Sequence, residues 1–348
     1  MLRDSLAGRN RRDEFRYARR PSFSPRGSMP LDPYSQAVVN AINASGVVPF
    51  HRFHPVEARN ELLKLRAPRP EVPAHPMATV TEEMIPAPDG QIKVRILRPR
   101  LPAAGERMGA VIYFHGGGFF AGGLDETDLL VRQVALEGDV VVFNVEYHLS
   151  PESRFPVAVN DAYAALQWVA TEALRFGVDP SRLVLAGDSA GGNLVIVTAL
   201  QARDRGGPAV AMQVAIYPSL DLRARPPYPS REKHGAGDLF LIADDIEWML
   251  DHYFTTRDEG NDWRASPILA SSFAGLPPAL VVTASYDPLV DEGKLYADRL
   301  AETGVATEYA CFEDTIHGFV SMASVLPSGA RAMTLICDRI RRTVSAAR

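Results

Sequence analysis

Cysteine is scarce in this sequence of 348 residues, which holds only Cys311 and Cys337. Both lie in apolar segments, so we expect buried thiols in preference to a disulfide. Neither cysteine nor histidine recurs at the spacing of a zinc site. The sequence therefore gives no reason to expect a zinc ion.

Long apolar runs and an excess of positive charge are also missing. No run of ~18 apolar residues occurs, so we expect no membrane span. The 42 aspartates and glutamates outnumber the 37 lysines and arginines, and the net charge of −5 suggests no nucleic-acid or anionic-membrane partner. A content of 46% hydrophobic and 23% charged residues is typical of a globular enzyme, for which we expect a cytoplasmic location.

The first 28 residues differ from the rest, because they contain eight arginines and few large apolar residues. They are predicted to be disordered, and they lack the apolar core of a signal peptide. One interpretation is a disordered leader and another is an arginine-rich transit peptide, which Asp4, Asp13 and Glu14 argue against. A third is a segment left by a gene fusion, ending at residues 27–28 before a natural start at Met29.

Helical and extended patterns divide the remainder into a cap and a catalytic domain. Residues 29–75 show apolar side chains at spacings of three and four, so we expect N-terminal cap helices there. Residues 76–348 are expected to form the catalytic domain, with a cap insertion at about residues 222–265. The insertion falls in a segment of about sixty residues between two strands, and it contains an amphipathic helix over residues 244–254.

Apolar segments that alternate with helical segments predict the fold class. Two strands near residues 79–85 and 92–99 are expected to form a hairpin. Six further strands are predicted at residues 110–114, 140–147, 183–186, 210–217, 279–284 and 307–312. The pattern predicts an α/β fold with a mostly parallel eight-stranded sheet, helices on both faces and a helical cap. In such sheets the active site lies beyond the carboxyl ends of the strands.

A glycine-flanked serine lies between a predicted strand and a helix-like run, in the segment Gly187-Asp188-Ser189-Ala190-Gly191. Strand, G-x-S-x-G and helix together are typical of a nucleophile held on a sharp turn. The turn forces the serine into a strained backbone conformation, and larger flanking side chains would collide with the neighbouring strand and helix. The hydroxyl then lies at a helix N-terminus, where N–H groups stabilise an anion. Ser189 is therefore the candidate nucleophile.

A serine nucleophile needs a histidine base that a carboxylate orients. Of the eight histidines, only His317 lies on a short loop after the last predicted strand. The alternative interpretation of His317 is a capping or surface residue. Asp287 follows the strand at residues 279–284 and is the candidate acid. Asp291 and Glu292 are its rivals, but they lie in the first turn of the next helix, where they would favour the helix dipole.

A glycine run, His115-Gly116-Gly117-Gly118-Phe119, follows the strand at residues 110–114. Glycines let backbone amides approach a substrate closely, so we expect Gly117, Gly118 and Ala190 to form an oxyanion hole. His115 and Gly116 are expected to support this loop. A phosphate-binding loop is the alternative, but the Walker lysine, the serine or threonine beside it and the G-x-G-x-x-G spacing are absent.

Large apolar side chains near the predicted site are candidates for an acyl pocket. They are Phe119, Phe120, Trp248, Met249, Tyr253 and Phe254. The alternative is that half of them simply bury the cap helix against the body of the domain. No cationic cluster marks an acidic substrate, so a neutral small-molecule ester of modest size is expected.

Together these motifs resemble the hormone-sensitive-lipase-like family of α/β-hydrolase esterases, which is family IV of the bacterial enzymes. The resemblance covers roughly residues 30–348, and the order and spacing of the motifs match as well. The family often has arginine and alanine where this chain has His148 and Ser150, which leaves the triad untouched. The matching segments are His115-Gly116-Gly117-Gly118, Tyr147-His148-Leu149-Ser150-Pro151-Glu152, Gly187-Asp188-Ser189-Ala190-Gly191-Gly192-Asn193, Asp287-Pro288-Leu289-Val290-Asp291-Glu292 and His317-Gly318-Phe319.

The resemblance implies a serine carboxylesterase that hydrolyses short- to medium-chain acyl esters through an acyl-enzyme on Ser189, without a metal or cofactor. The same scaffold can hydrolyse amides, lactones or carbamates, which the triad does not exclude. A non-catalytic receptor is a further alternative, because plant gibberellin receptors resemble the family but lack the histidine that His317 provides here. The last strand is expected at a sheet edge, which would allow a homodimer through it.

Overall fold

The computed structural model describes residues 30–45, 48–66, 75–237 and 239–346, and for residues 63–66 it describes the backbone alone. The interpretations of residues 1–28 lie outside this part of the chain. So do parts of the predicted N-terminal cap segment, at residues 29, 46–47 and 67–74.

Eight strands of the described residues form one sheet, in the order β1-β2-β4-β3-β5-β6-β7-β8. β2 pairs antiparallel with both β1 and β4, and the other neighbours pair in parallel. The predicted mostly parallel, eight-stranded sheet is therefore confirmed. The strands are β1 (Thr79–Ala87), β2 (Gly90–Arg98), β3 (Met108–Phe114), β4 (Val140–Glu146), β5 (Val178–Asp188), β6 (Met212–Ile216), β7 (Ala279–Tyr286) and β8 (Thr307–Ile316).

Helices cover the sheet because its central strands are apolar on both faces. In β3, Ile112 and Phe114 belong to a buried layer that includes residues of the fourth and fifth helices, while Val111 and Tyr113 belong to a second layer with the third and ninth. This alternation follows the two-residue period of a strand. The helices are α1 (Pro33–Ala44), α2 (Pro55–Arg66), α3 (Asp128–Gly138), α4 (Val157–Glu172), α5 (Ala190–Arg205), α6 (Pro229–His234), α7 (Ala243–Tyr253), α8 (Val290–Glu302) and α9 (Pro327–Ala346).

Two strands are longer than the apolar pattern predicts. β5 begins at Val178, which pairs with Met108. The residues from there to Arg182 are mostly polar, so the apolar pattern does not predict this part of the strand. β8 continues to Ile316, which pairs with Tyr286 of β7. His317 therefore follows the strand directly, with no intervening loop. The short helix α6 was not predicted, because its six residues are mostly polar.

The first helix is attached to the strand that precedes His317. Asp32 caps α1 by accepting hydrogen bonds from the N–H groups of Tyr34 and Ser35. The Ser35 hydroxyl lies 3.0 Å from that of Thr315, and both side chains are fully buried. Within the described part of the chain, no helix has the length and apolar character needed to cross a membrane.

Candidate active site

Ser189 occupies a sharp turn between β5, which ends at Asp188, and α5, which begins at Ala190. Its backbone has φ 55° and ψ −116°, a conformation that is unfavourable for a residue with a side chain. Small neighbours are required here, because a Cβ at Gly187 would lie 2.6 Å from the carbonyl oxygen of Phe114 and one at Gly191 would overlap that oxygen. The turn therefore needs glycine on both sides of the serine.

The structure brings Ser189, His317 and Asp287 together at the carboxyl ends of β5, β8 and β7. Ser189 Oγ lies 3.1 Å from His317 Nε2, and His317 Nδ1 lies 2.7 Å from Asp287 Oδ2. Asp287 Oδ1 also accepts a hydrogen bond of 2.8 Å from the N–H of Leu289. Asp287 is fully buried, so its carboxylate is held in one orientation. A carboxylate accepts the Nδ1 proton, which leaves the lone pair of Nε2 directed at the serine.

The two rival acids have other partners. Asp291 accepts a hydrogen bond from the N–H of Ser230 in α6. Glu292 is fully buried and accepts from the N–H of Leu220 and from the Arg231 guanidinium at 2.8 and 2.9 Å. Burial raises the pKa of Glu292 to about 7. Both carboxylates therefore attach α6 and the segment after β6 to α8.

The glycine loop after β3 borders the same cavity as the serine. Gly117 and Gly118 have positive φ values of 124° and 60°. Among the described residues, the N–H groups of Gly117, Gly118 and Ala190 have no protein acceptor, and all three residues line the same cavity as Ser189. His115 Nδ1 donates to the carbonyl of Gly116 at 2.8 Å. The structure thus places every predicted oxyanion and loop residue at the site.

An apolar cavity of about 530 Å³ opens above Ser189. Of the six predicted pocket residues, Phe119, Phe120 and Met249 line it. The other three lie in the packing behind the wall, where Tyr253 stacks on Phe119 at 4.0 Å, Trp248 meets Phe120 edge-on at 5.1 Å and Phe254 packs on Phe155 at 5.7 Å. Wall residues that the sequence reading missed include Val38, Ile42, Leu62, Leu222, Ile246, Leu250, Leu289 and Met322.

The phase of α7 explains this correction. Ile246, Met249 and Leu250 are spaced by three and four residues, so they lie on one helix face and line the cavity. Tyr253 continues that face but lies one turn further on, where Phe119 covers it. Trp248 lies off this face. Aromatic content alone therefore does not identify the side chains that reach the cavity.

Comparison with known proteins identifies the family. A model of the alpha/beta hydrolase fold matches residues 111–321. Esterase LipI of Mycobacterium tuberculosis is 38% identical over 76% of this chain and 82% of its own length. Ethyl acetate hydrolase of Pseudomonas putida is 33% identical over 90% and 98%. The structure of a hyperthermophilic esterase from the archaeon Pyrobaculum calidifontis matches with a TM-score of 0.83 and 38% identity, over 90% of this chain and 99% of that one.

The chain belongs to the α/β-hydrolase family. The predicted resemblance to hormone-sensitive-lipase-like esterases is confirmed, and the chain is a carboxylic-ester hydrolase. Among the described residues, no group of three or more histidine, cysteine, aspartate or glutamate side chains is placed to hold a metal ion.

Two residues of this α/β-hydrolase that sequence reasoning missed hold the glycine loop against the serine turn. Asp188 Oδ1 accepts hydrogen bonds from the N–H of Gly116 at 2.9 Å and from the hydroxyl of Tyr113 at 2.7 Å. Burial raises the pKa of Tyr113, so its hydroxyl stays a donor. The sequence did carry one signal for this contact, namely Asp188 itself. A charged side chain inside a turn that is expected to be buried needs hydrogen-bond partners nearby.

The strain at Ser189 predicts a stability difference between two variants of this α/β-hydrolase that differ only at this residue. Ser189→Gly is expected to have a free energy of unfolding about 1 kcal/mol higher than Ser189→Ala. Glycine adopts positive φ without the strain of ~1–3 kcal/mol, which outweighs the ~0.4–1 kcal/mol of extra unfolded-state entropy. Urea denaturation of both variants measures the difference. If the turn stored no strain, Ser189→Gly would instead be about 0.4–1 kcal/mol less stable than Ser189→Ala.

Proposed function

We propose that Ser189 is the nucleophile of this carboxylesterase, that His317 is its general base and that Asp287 orients the imidazole. The observation that carries the proposal is the hydrogen-bonded series from Ser189 through His317 to buried Asp287 at the base of the cavity. His317 Nε2 takes the proton of the Ser189 hydroxyl as Oγ attacks the ester carbonyl. The oxyanion accepts hydrogen bonds from the N–H groups of Gly117, Gly118 and Ala190.

The tetrahedral intermediate collapses when the bond to the alcohol oxygen breaks. His317 then returns its proton to that oxygen, and the acyl group stays on Ser189. Water next attacks the acyl carbonyl while His317 takes one of its protons. A second collapse releases the carboxylic acid and restores the serine hydroxyl.

We propose that the substrates are neutral esters with short to medium acyl chains. Most of the cavity wall is apolar, with Leu222, Ile246, Leu250 and Leu289 buried in it. Among the described residues, no lysine or arginine lines the cavity, so nothing there attracts an anionic substrate. A volume of about 530 Å³ suits one small molecule, since ligand pockets are generally ~300–1,000 Å³.

Chain-length preference tests this proposal. With p-nitrophenol as the common alcohol, kcat/KM is expected to rise about fourfold per added methylene, since each buried CH₂ contributes ~0.8 kcal/mol. The rise is expected to end at about six to eight acyl carbons, where the chain outgrows the cavity. Initial rates across acetate to palmitate esters measure the profile. A higher rate on emulsified long-chain triglyceride than on the butyrate ester would contradict the proposal.

We further propose that α1, α2 and α7 belong to a cap, as the predicted division at residues 29–75, 76–348 and 222–265 requires. Support comes from the cavity wall, to which Val38, Leu62 and Ile246 contribute from these three helices.

A homodimer through β8 stays a proposal, and its support is the position of this strand at an edge of the sheet. The cytoplasmic location also stays a proposal.

A further inference from the structure

The loop that carries the proposed oxyanion donors has an unusual backbone. Three consecutive residues, Gly117, Gly118 and Phe119, have positive φ values of 124°, 60° and 62°. Glycine tolerates such values, but a bulky residue such as phenylalanine adopts them at a cost in free energy. Such a conformation persists only where the surrounding structure holds it. The contacts of this loop therefore decide where the N–H groups of Gly117 and Gly118 point.

Most of the contacts that hold the loop come from the catalytic domain and α7. The Gly117 carbonyl accepts from the N–H groups of Phe120 and Ala121 at 3.1 and 3.0 Å. The Phe119 carbonyl accepts from the N–H and hydroxyl of Ser150 at 2.8 and 3.2 Å. The Phe119 ring stacks on Tyr253. The next carbonyl along, that of Phe120, accepts from a different part of the chain.

Arg59 of α2 is the donor to the Phe120 carbonyl, at 2.5 Å from Nε. Its Nη2 donates to the carbonyl of Ser150 at 2.7 Å, and its two terminal nitrogens donate to Glu152 at 2.8 and 2.6 Å. One planar guanidinium thus joins the cap helix, the glycine loop and the segment that holds Phe119. An ammonium group cannot reproduce these directions, because only arginine has donors in a fixed fork.

The ion pair between Arg59 and Glu152 is not what holds the loop. Glu152 has a side-chain exposure of 56%, and exposed ion pairs contribute little to stability. The Phe120 carbonyl, in contrast, belongs to the glycine loop itself. The Ser150 carbonyl belongs to the segment that holds the loop through the Phe119 carbonyl. Arg59 is absent from the cavity wall, so it does not touch a substrate there.

We propose that Arg59 is a positioning residue for the oxyanion loop. It acts through the Phe120 and Ser150 carbonyls on the N–H groups of Gly117 and Gly118, and the inference rests on the proposed role of those groups. Loss of Arg59 is then expected to lower kcat and to leave KM almost unchanged. The reason is that ground-state binding comes from the apolar wall, whereas the oxyanion forms only in the transition state.

The experiment compares Arg59→Met with the matched control Arg100→Met. Arg100 also makes four charged hydrogen bonds, to Glu106 and Asp139, but it does not line the cavity or contact the loop. Arg59→Met is expected to lower kcat for p-nitrophenyl butyrate by about 10- to 100-fold, with KM within about threefold. Arg100→Met is expected to stay within about twofold of the wild-type kcat. Thermal melts confirm that the compared proteins are folded.

A transition-state analogue separates positioning from a general loss of structure. The serine oxygen adds to the carbonyl carbon of a trifluoromethyl ketone, which gives a hemiketal oxyanion as the serine proton passes to His317, whereas the methyl ketone of the same chain binds without that reaction. In Arg59→Met the inhibition constant of the trifluoromethyl ketone is expected to rise by the factor by which kcat/KM falls, and that of the methyl ketone to stay constant. Equal behaviour of Arg59→Met and Arg100→Met would overturn the inference.

Two further outcomes are distinguishable. If the wild-type protein binds the trifluoromethyl ketone no better than the methyl ketone, the proposed oxyanion hole itself is wrong. If Arg59→Met does not fold, Arg59→Lys is used to test the inference, because it keeps the charge and about the length of the side chain. Arg59→Lys is expected to show a kcat about 3- to 10-fold below wild type, since one ammonium cannot bind both carbonyls and Glu152 in the same geometry. A wild-type kcat in that variant would overturn the inference.

Discussion

Replacing Ser189 with alanine is expected to lower kcat for p-nitrophenyl butyrate by about 10⁵- to 10⁶-fold and to leave the melting temperature within about 2 °C of wild type. The substitution removes the proposed nucleophile, Ser189 Oγ, which lies 3.1 Å from His317 Nε2. Stability changes little, since alanine keeps the backbone and loses one hydrogen bond. Initial rates and thermal melts measure the two quantities.

A fluorophosphonate probe provides the second measurement for this variant. The wild-type protein is expected to take up one equivalent, and peptide mapping is expected to place it on Ser189. Ser189→Ala is expected to take up none. Ser181→Ala is the control, because Ser181 is exposed and bonds to Asp179 at the polar start of β5. Retained hydrolysis in Ser189→Ala, or a label on another serine, would refute the assignment.

The juxtaposition of Ser189, Asp287 and His317 was predictable because each residue follows a strand. The carboxyl ends of parallel strands meet at one edge of a sheet, so three residues far apart in sequence become neighbours. β5, β7 and β8 are near neighbours in the strand order, with only β6 between the first two. The apolar strand patterns therefore carried enough information to propose the whole triad.

The supports of the site were not predictable in the same way. The contact of Arg59 with the Phe120 carbonyl joins residues 61 positions apart, and the Tyr113 contact with Asp188 spans 75. No local period or capping pattern encodes such a contact, since it depends on how elements pack. The prediction was wrong for three of the six pocket residues for a related reason, because the rotation of α7 about its axis is set by packing and not by aromatic content. Ile246 lines the cavity and Trp248 does not.

Replacing Asp287 with asparagine is expected to lower kcat by about 10⁴-fold, with KM and the melting temperature close to wild type. The control is Asp291→Asn, four residues further on in the first turn of α8, which alters a carboxylate that bonds to Ser230 and not to His317. That variant is expected to keep kcat within about threefold of wild type. Initial rates on one ester across the two variants measure the contrast. A large loss in Asp291→Asn with a small one in Asp287→Asn would transfer the orienting role to Asp291.

The expected loss in Asp287→Asn follows from the two partners of this carboxylate. The Leu289 N–H, which lies 2.8 Å from Oδ1, can only donate, so it requires the amide oxygen on its side. The amide NH₂ must then face His317 Nδ1, which has to become an acceptor. The imidazole proton moves to Nε2 and points at Ser189 Oγ, so no lone pair remains to take the serine proton. The geometry of the triad would be preserved while its chemistry is lost, which is why a crystal structure of this variant should superpose on wild type despite its low kcat.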